Sequence, residues 1–104
     1  MKQRDIIPKI RTVLKKVIPN AEVILYGSVA RGEETEESDI DLLILVDEDK
    51  LTYDDKGKII QNLDNLEAKT GVAISPVIRT RTEWQNVPFR TPFMINVINE
   101  GIRL

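Results

Sequence analysis

The chain has 104 residues and a formal net charge of −2, and 41% of its residues are apolar. That suffices for one domain with a real core, burying roughly 60–70% of its unfolded surface, while the mildly acidic balance disfavours a nucleic-acid surface, which is normally basic. There is no Cys and no His, which excludes disulfides, thiol nucleophiles, Cys-based zinc sites and the imidazole base of serine hydrolases. Chemistry must run on carboxylates, hydroxyls, Lys, Arg and bound cations. Neither a signal peptide nor a long apolar span is visible, so a cytoplasmic location and no membrane partner are expected.

Ile6, Ile7, Ile10, Val13, Leu14 and Val17 repeat at helical spacing. They predict a first helix over Asp5–Ile18, with Lys9, Arg11, Lys15 and Lys16 on its solvated face. Pro8 fits the first turn if Asp5 is the N-cap, and Pro19-Asn20 ends the helix. Ala21–Tyr26 predicts a short strand that delivers the chain to Gly27. Gly27 and Ser28 then make a turn of small side chains, whose unpaired backbone N–H groups suit phosphate. The Ser28 hydroxyl adds a donor. Arg31 reads two ways: it reaches a triphosphate, or its planar fork clamps a nearby carboxylate. Glu33–Glu37 is an acidic loop, in which Glu34, Glu36 and Glu37 read as solvated or, alternatively, as metal contacts.

The apolar run of Ile40 and Leu42 to Val46 predicts a strand over Ile40–Val46 that is covered on both faces. Asp39 and Asp41 stand two apart at its mouth. Their carboxylates project to the same side, about 7 Å apart at the backbone. Such a pair can share a divalent cation, and Mg²⁺ needs only a few carboxylates plus phosphate oxygens. A polar turn over Asp47–Lys50 leads to a helix over Asp54–Thr70, with Ile59, Ile60, Leu63 and Leu66 on one stripe and Gly71 closing it. Val72–Ile78 predicts a third strand, where Pro76 implies an edge position or a bulge.

Thr82 is expected to cap a short turn carrying Glu83 and Trp84. Trp84 reads as a core or partner contact, with base stacking as the alternative. After a loop over Asn86–Arg90, Thr91-Pro92 opens a last helix that Gly101 ends, and Ile102–Leu104 adds a terminal strand. Trp84, Val87 and Phe89 make Thr82–Pro92 the expected partner-contact segment.

The order Gly27-Ser28-x-x-Arg31-Gly32, then Ser38-Asp39-Ile40-Asp41-Leu42, resembles the signature of the DNA polymerase beta-like nucleotidyltransferase superfamily. The short length resembles its minimal, stand-alone branch, the MNT proteins, many of which are encoded beside HEPN-domain partners. The resemblance implies an α+β nucleotidyltransferase fold, a small mixed β-sheet flanked by helices lying on one side. It implies a single minimal nucleotidyltransferase domain over residues 1–104. Asp39 and Asp41 would be the catalytic and metal-binding residues, with Mg²⁺ as the cation. Gly27, Ser28, Arg31 and Ser38 would hold a nucleoside triphosphate, with ATP the expected one.

The implied reaction transfers a nucleotidyl group, AMP from ATP, to a hydroxyl of a partner protein or small molecule. In the minimal branch this resembles an antitoxin modifying a tyrosine of its HEPN partner. A homo-oligomer is the other partner expected. Active members carry a third carboxylate on the later strand. Here Val72–Ile78 contains no Asp or Glu, and Ser75 stands about where that group should be. A second reading follows, a catalytically weak or inactive nucleotide- and partner-binding module.

Overall fold

The computed structural model of the chain describes residues 2–47 and 51–104. Helix α1 spans Gln3–Val17 and buries Ile6, Ile10 and Leu14 along one stripe. It begins two residues before the expected start. Lys2 is the N-cap, without a side-chain cap, so Pro8 lies inside the helix and not in its first turn. Tertiary anchoring explains the early start, because the Gln3 side chain is buried and hydrogen-bonded to the loop before Asp39.

Strand β1 (Glu22–Tyr26) runs straight into the short helix α2 (Gly27–Arg31), and β2 spans Ile40–Val46 as its apolar run predicts. The polar turn expected over Asp47–Lys50 lies, beyond Asp47, outside the described residues. Helix α3 (Tyr53–Thr70) opens on a capping box between Thr52 and Asp55 and closes on Gly71 in the left-handed region. This pairing satisfies N–H groups that the first turn leaves free. Its buried stripe is Ile59, Leu63 and Leu66; Ile60, one residue off that stripe, is 41% exposed.

Strand β3 covers Ile74–Thr80, two residues later than expected, because the chain leaving Gly71 uses Val72 and Ala73 to reach the sheet. Thr80, not Thr82, therefore caps helix α4 (Arg81–Gln85), in a reciprocal box with Glu83. Helix α5 (Pro92–Glu100) has Thr91 as N-cap and Pro92 at its start, and strand β4 (Ile102–Arg103) follows.

The four strands form one mixed sheet in the order β3-β2-β1-β4. β1 pairs antiparallel with β2 and with β4, and β2 pairs parallel with β3. Pro76 thus lies on an edge strand, where a missing N–H is tolerated. Ile40, Leu42, Ile44 and Val46 pack with the stripes of α1 and α3 in the main core. Leu43 and Leu45 point to the other face, where Val97 and Phe93 of α5 and Trp84 of α4 meet them. Helices therefore cover both faces, not one. The cause is β2 itself, whose two apolar faces both require cover. No helix among the described residues is long and apolar enough to cross a membrane.

Candidate functional site

Sheet register assembles the site. Asp41 is the cross-strand partner of Tyr26 on β1 and of Ser75 on β3. Gly27, the next residue after Tyr26, has φ +79, and a Cβ built on it would overlap Asp41 Oδ2. Only glycine satisfies both demands, left-handed backbone and contact with a carboxylate where the side chain would be. Ser75 Oγ donates to Asp39 Oδ2 at 3.2 Å. Gly27, Asp39, Asp41 and Ser75 thus meet at one end of the sheet, with Ser28 following Gly27 in α2.

The Asp41 carboxyl is held above its ordinary range by burial first and then by the charge of Asp39; Arg31 opposes this and Glu100 adds to it. Burial also pushes the Tyr26 hydroxyl up, with Asp41 contributing. Two like charges in a half-buried setting are what a divalent cation relieves. The donor set is hard carboxylate oxygen, which suits Mg²⁺. It is only a partial shell, since no group of three Asp, Glu, His or Cys among the described residues is arranged to hold a metal ion. Around a bound cation, water and phosphate oxygens would have to complete it.

The other sequence candidates are held by protein partners in this structure. Arg31 clamps two carboxylates: its Nη1 donates to Glu100 Oε2 at 2.9 Å and its Nε to Glu33 Oε2 at 3.1 Å. The Ser38 hydroxyl is engaged inside its own loop, accepting the Thr35 N–H at 2.8 Å. Glu34 is neither solvated nor aimed at the aspartates; Arg4 Nε donates to it at 2.7 Å and its side chain is 17% exposed. Glu36 and Glu37 are exposed. Trp84 takes the core reading, packing edge-on against Phe93 at 6.0 Å between ring centroids, and Phe93 in turn meets Tyr26 at 5.3 Å.

Two residues at the site carry no local sequence signal. Glu100 Oε1 accepts the Gly27 N–H at 3.2 Å, joining the end of α5 to the turn after β1. Gln3 Nε2 donates to the carbonyls of Thr35 and Ser38, at 2.7 and 2.9 Å. Gly101 marked the end of α5, but nothing local marked Glu100 as part of a site.

Comparison with known proteins identifies the family. Residues 7–100 match the family described as nucleotidyltransferase domain. The chain is 40% identical over 95 residues to "Putative protein adenylyltransferase MJ0141" of Methanocaldococcus jannaschii, covering 91% of this chain and 87% of that one. Its fold matches a solved structure described as a "putative minimal nucleotidyltransferase", with a TM-score of 0.66, 27% identity, and 100% and 97% of the two chains covered. It also matches a chain of a toxin–antitoxin crystallised with AMP-PNP, with a TM-score of 0.64, 22% identity, and 92% and 69% coverage. The chain belongs to the nucleotidyltransferase domain family, as a domain of the minimal nucleotidyltransferase type.

Proposed function

We propose that the chain binds ATP with Mg²⁺ and transfers AMP to a hydroxyl of a partner protein of HEPN type. The observation that carries this is the contact of Asp41 Oδ2 with Gly27, with Asp39 alongside. A phosphate-binding turn and a carboxylate pair share one point. The adenylyl group is favoured by the name of the 40% identical relative. A protein acceptor is favoured by the toxin–antitoxin setting of the fold neighbour.

Asp39 and Asp41 would hold the cation, which when bound neutralises the triphosphate and lowers the pKa of an attacking hydroxyl. The Gly27 turn would meet phosphate through its backbone N–H, and the Ser28 hydroxyl would add a donor. In the reaction the acceptor oxygen bonds to the α-phosphorus as its proton passes to solvent, the bond to the bridging oxygen breaks, and pyrophosphate leaves. Ser75 contributes a neutral hydroxyl already committed to Asp39. It accepts no proton near pH 7, so the acceptor gains no base from β3.

That last feature favours the second reading, a nucleotide- and partner-binding module with slow turnover. Isothermal titration of Mg–ATP into the wild type and into Asp39→Asn/Asp41→Asn tests the site common to both readings. Binding is expected in the wild type and is expected to be lost in the folded double variant. Unchanged affinity in that variant would remove the assignment.

A further inference from the structure

Glu100 occupies the place of an anion. One of its carboxylate oxygens accepts the Gly27 N–H at 3.2 Å, and the other accepts from Arg31 Nη1 at 2.9 Å. Its side chain is only 19% exposed, whereas the second Arg31 partner, Glu33, is 67% exposed. The two donors a phosphate would use beside Asp41 are therefore bridged by one carboxylate. Charge-assisted bonds of this type are the stronger class of protein hydrogen bond. A phosphate oxygen cannot take the same N–H and the same guanidinium face while that carboxylate remains.

We propose that Glu100 is the resident occupant of the phosphate donors: polyphosphate displaces it on entry, and it reclaims Gly27 and Arg31 as pyrophosphate leaves. The proposal rests on the nucleotide-binding reading above. The motion it needs is small. The backbone beside Glu100 is fixed, because the Gly101 N–H donates to Val97 O at 2.8 Å and Gly101 packs against Val97 O and Ile24 Cγ2 too closely for a side chain. Glu100 must leave by rotating its own side chain, with α5 staying in place.

A competing carboxylate weakens only ligands that need its donors. It lowers affinity for triphosphate and pyrophosphate, leaves a monophosphate almost untouched, and so favours release of the leaving group. Glu100 is a specificity-determining residue in this sense, acting on the phosphate end of the ligand.

Isothermal titration of wild type, Glu100→Gln and Glu100→Ala with Mg–pyrophosphate, Mg–ATP and AMP tests this. Both variants are expected to bind pyrophosphate and ATP about tenfold more tightly, equivalent to about 1.4 kcal/mol, with AMP affinity unchanged. Unchanged or weaker pyrophosphate binding in the folded variants overturns the proposal. A measurement on the wild type needs no substitution: the ¹³C resonance of the Glu100 carboxyl, assigned by its loss in Glu100→Gln, is expected to shift on saturation with Mg–pyrophosphate. Saturation without a shift also overturns it. Absence of Mg–ATP and Mg–pyrophosphate binding in all three proteins overturns the nucleotide-binding reading itself, and this proposal with it.

Discussion

Ser75 faces Asp41 across the parallel ladder of β2 and β3, and its hydroxyl donates to the neighbouring Asp39. A carboxylate at position 75 would therefore join the pair. Ser75→Asp is expected to raise divalent-cation affinity by tenfold or more, read by Mn²⁺ titration. Any transferase activity is expected to rise as well, within the roughly 10²–10⁴-fold range of general-base help. Without metal the variant is expected to melt earlier, since three like charges would crowd one strand end. Wild-type Mn²⁺ affinity in the folded variant would show that position 75 does not reach the metal.

The strand and its aspartate pair were legible in the sequence, whereas the place of Ser75 beside them came from the family resemblance. The run at Ile40–Val46 specified a strand buried on both faces, and the offset of Asp39 and Asp41 fixed which side they share. Thr80-x-x-Glu83 carries a capping-box signal as well, masked because Thr80 is at once the last residue of β3 and the cap of α4. What local pattern could not supply was contact across long separations. Glu100 meets Gly27 and Arg31 only once α5 has crossed the sheet, and Gln3 meets Ser38 only when α1 docks on the loop. The single-sided helix arrangement failed for a related reason: Leu43 and Leu45 needed cover that the short helices provide.

Gly27 combines φ +79 with contact to Asp41. Loss of nucleotide affinity with little loss of stability is the expectation from the turn alone; the structure adds a folding penalty. A left-handed backbone costs a non-glycine residue about 1–2 kcal/mol, and roughly 4–8 °C of Tm follows from each kcal/mol in a domain this size. Gly27→Ala is expected to lower Tm by at least that much and to abolish Mg–ATP binding by displacing Asp41. A wild-type Tm would show that the turn tolerates a side chain.

Asp41 has a folded-state pKa raised above its ordinary 3.8, by burial first and then by Asp39. The folded state thus binds this proton more tightly than the unfolded chain, so ionised Asp41 opposes folding above its folded pKa. As pH falls through that pKa toward 3.8, the opposition disappears. Asp41→Asn is expected to raise stability at pH 7, by less than about 1 kcal/mol because solvent screens the half-exposed group. The gain should shrink toward pH 3.8. Thermal melts across pH check this, and a variant less stable than wild type at pH 7 would contradict it.

Phe89 is 73% exposed and Val87 38%, whereas Trp84 is packed on Phe93. The partner surface expected over Thr82–Pro92 therefore reduces to Val87 and Phe89. Phe89→Ser is expected to leave stability within about 0.5 kcal/mol, as surface changes usually do. It should weaken association with a HEPN-type partner about tenfold, the loss typical of a buried aromatic anchor. Unaltered association, measured by titration of the purified partner, would place the interface elsewhere.

Gln3 is 5% exposed, and its Nε2 donates to Thr35 O and Ser38 O at 2.7 and 2.9 Å. Ser38 precedes Asp39, so the first turn of α1 fixes the backbone that aims one carboxylate of the pair. The loop is otherwise tied by short-range bonds between Thr35, Glu37 and Ser38 and by Arg4, which donates to Glu34. Gln3→Leu keeps much of the volume but takes the side-chain donor from Ser38 O and leaves Thr35 O with the Ser38 N–H alone, at a cost of about 1–3 kcal/mol. Gln3→Glu removes the donor as well and adds a charge facing two carbonyl oxygens, so it should be at least as damaging. Both variants are expected to melt earlier, to exchange the Ser38 and Asp39 amides faster, and to bind Mn²⁺ more weakly, since Asp39 loses its fixed direction while the contact of Asp41 with Gly27 persists. Wild-type exchange at those two amides in Gln3→Leu would mean that the loop holds its own shape and that Gln3 does not position the site.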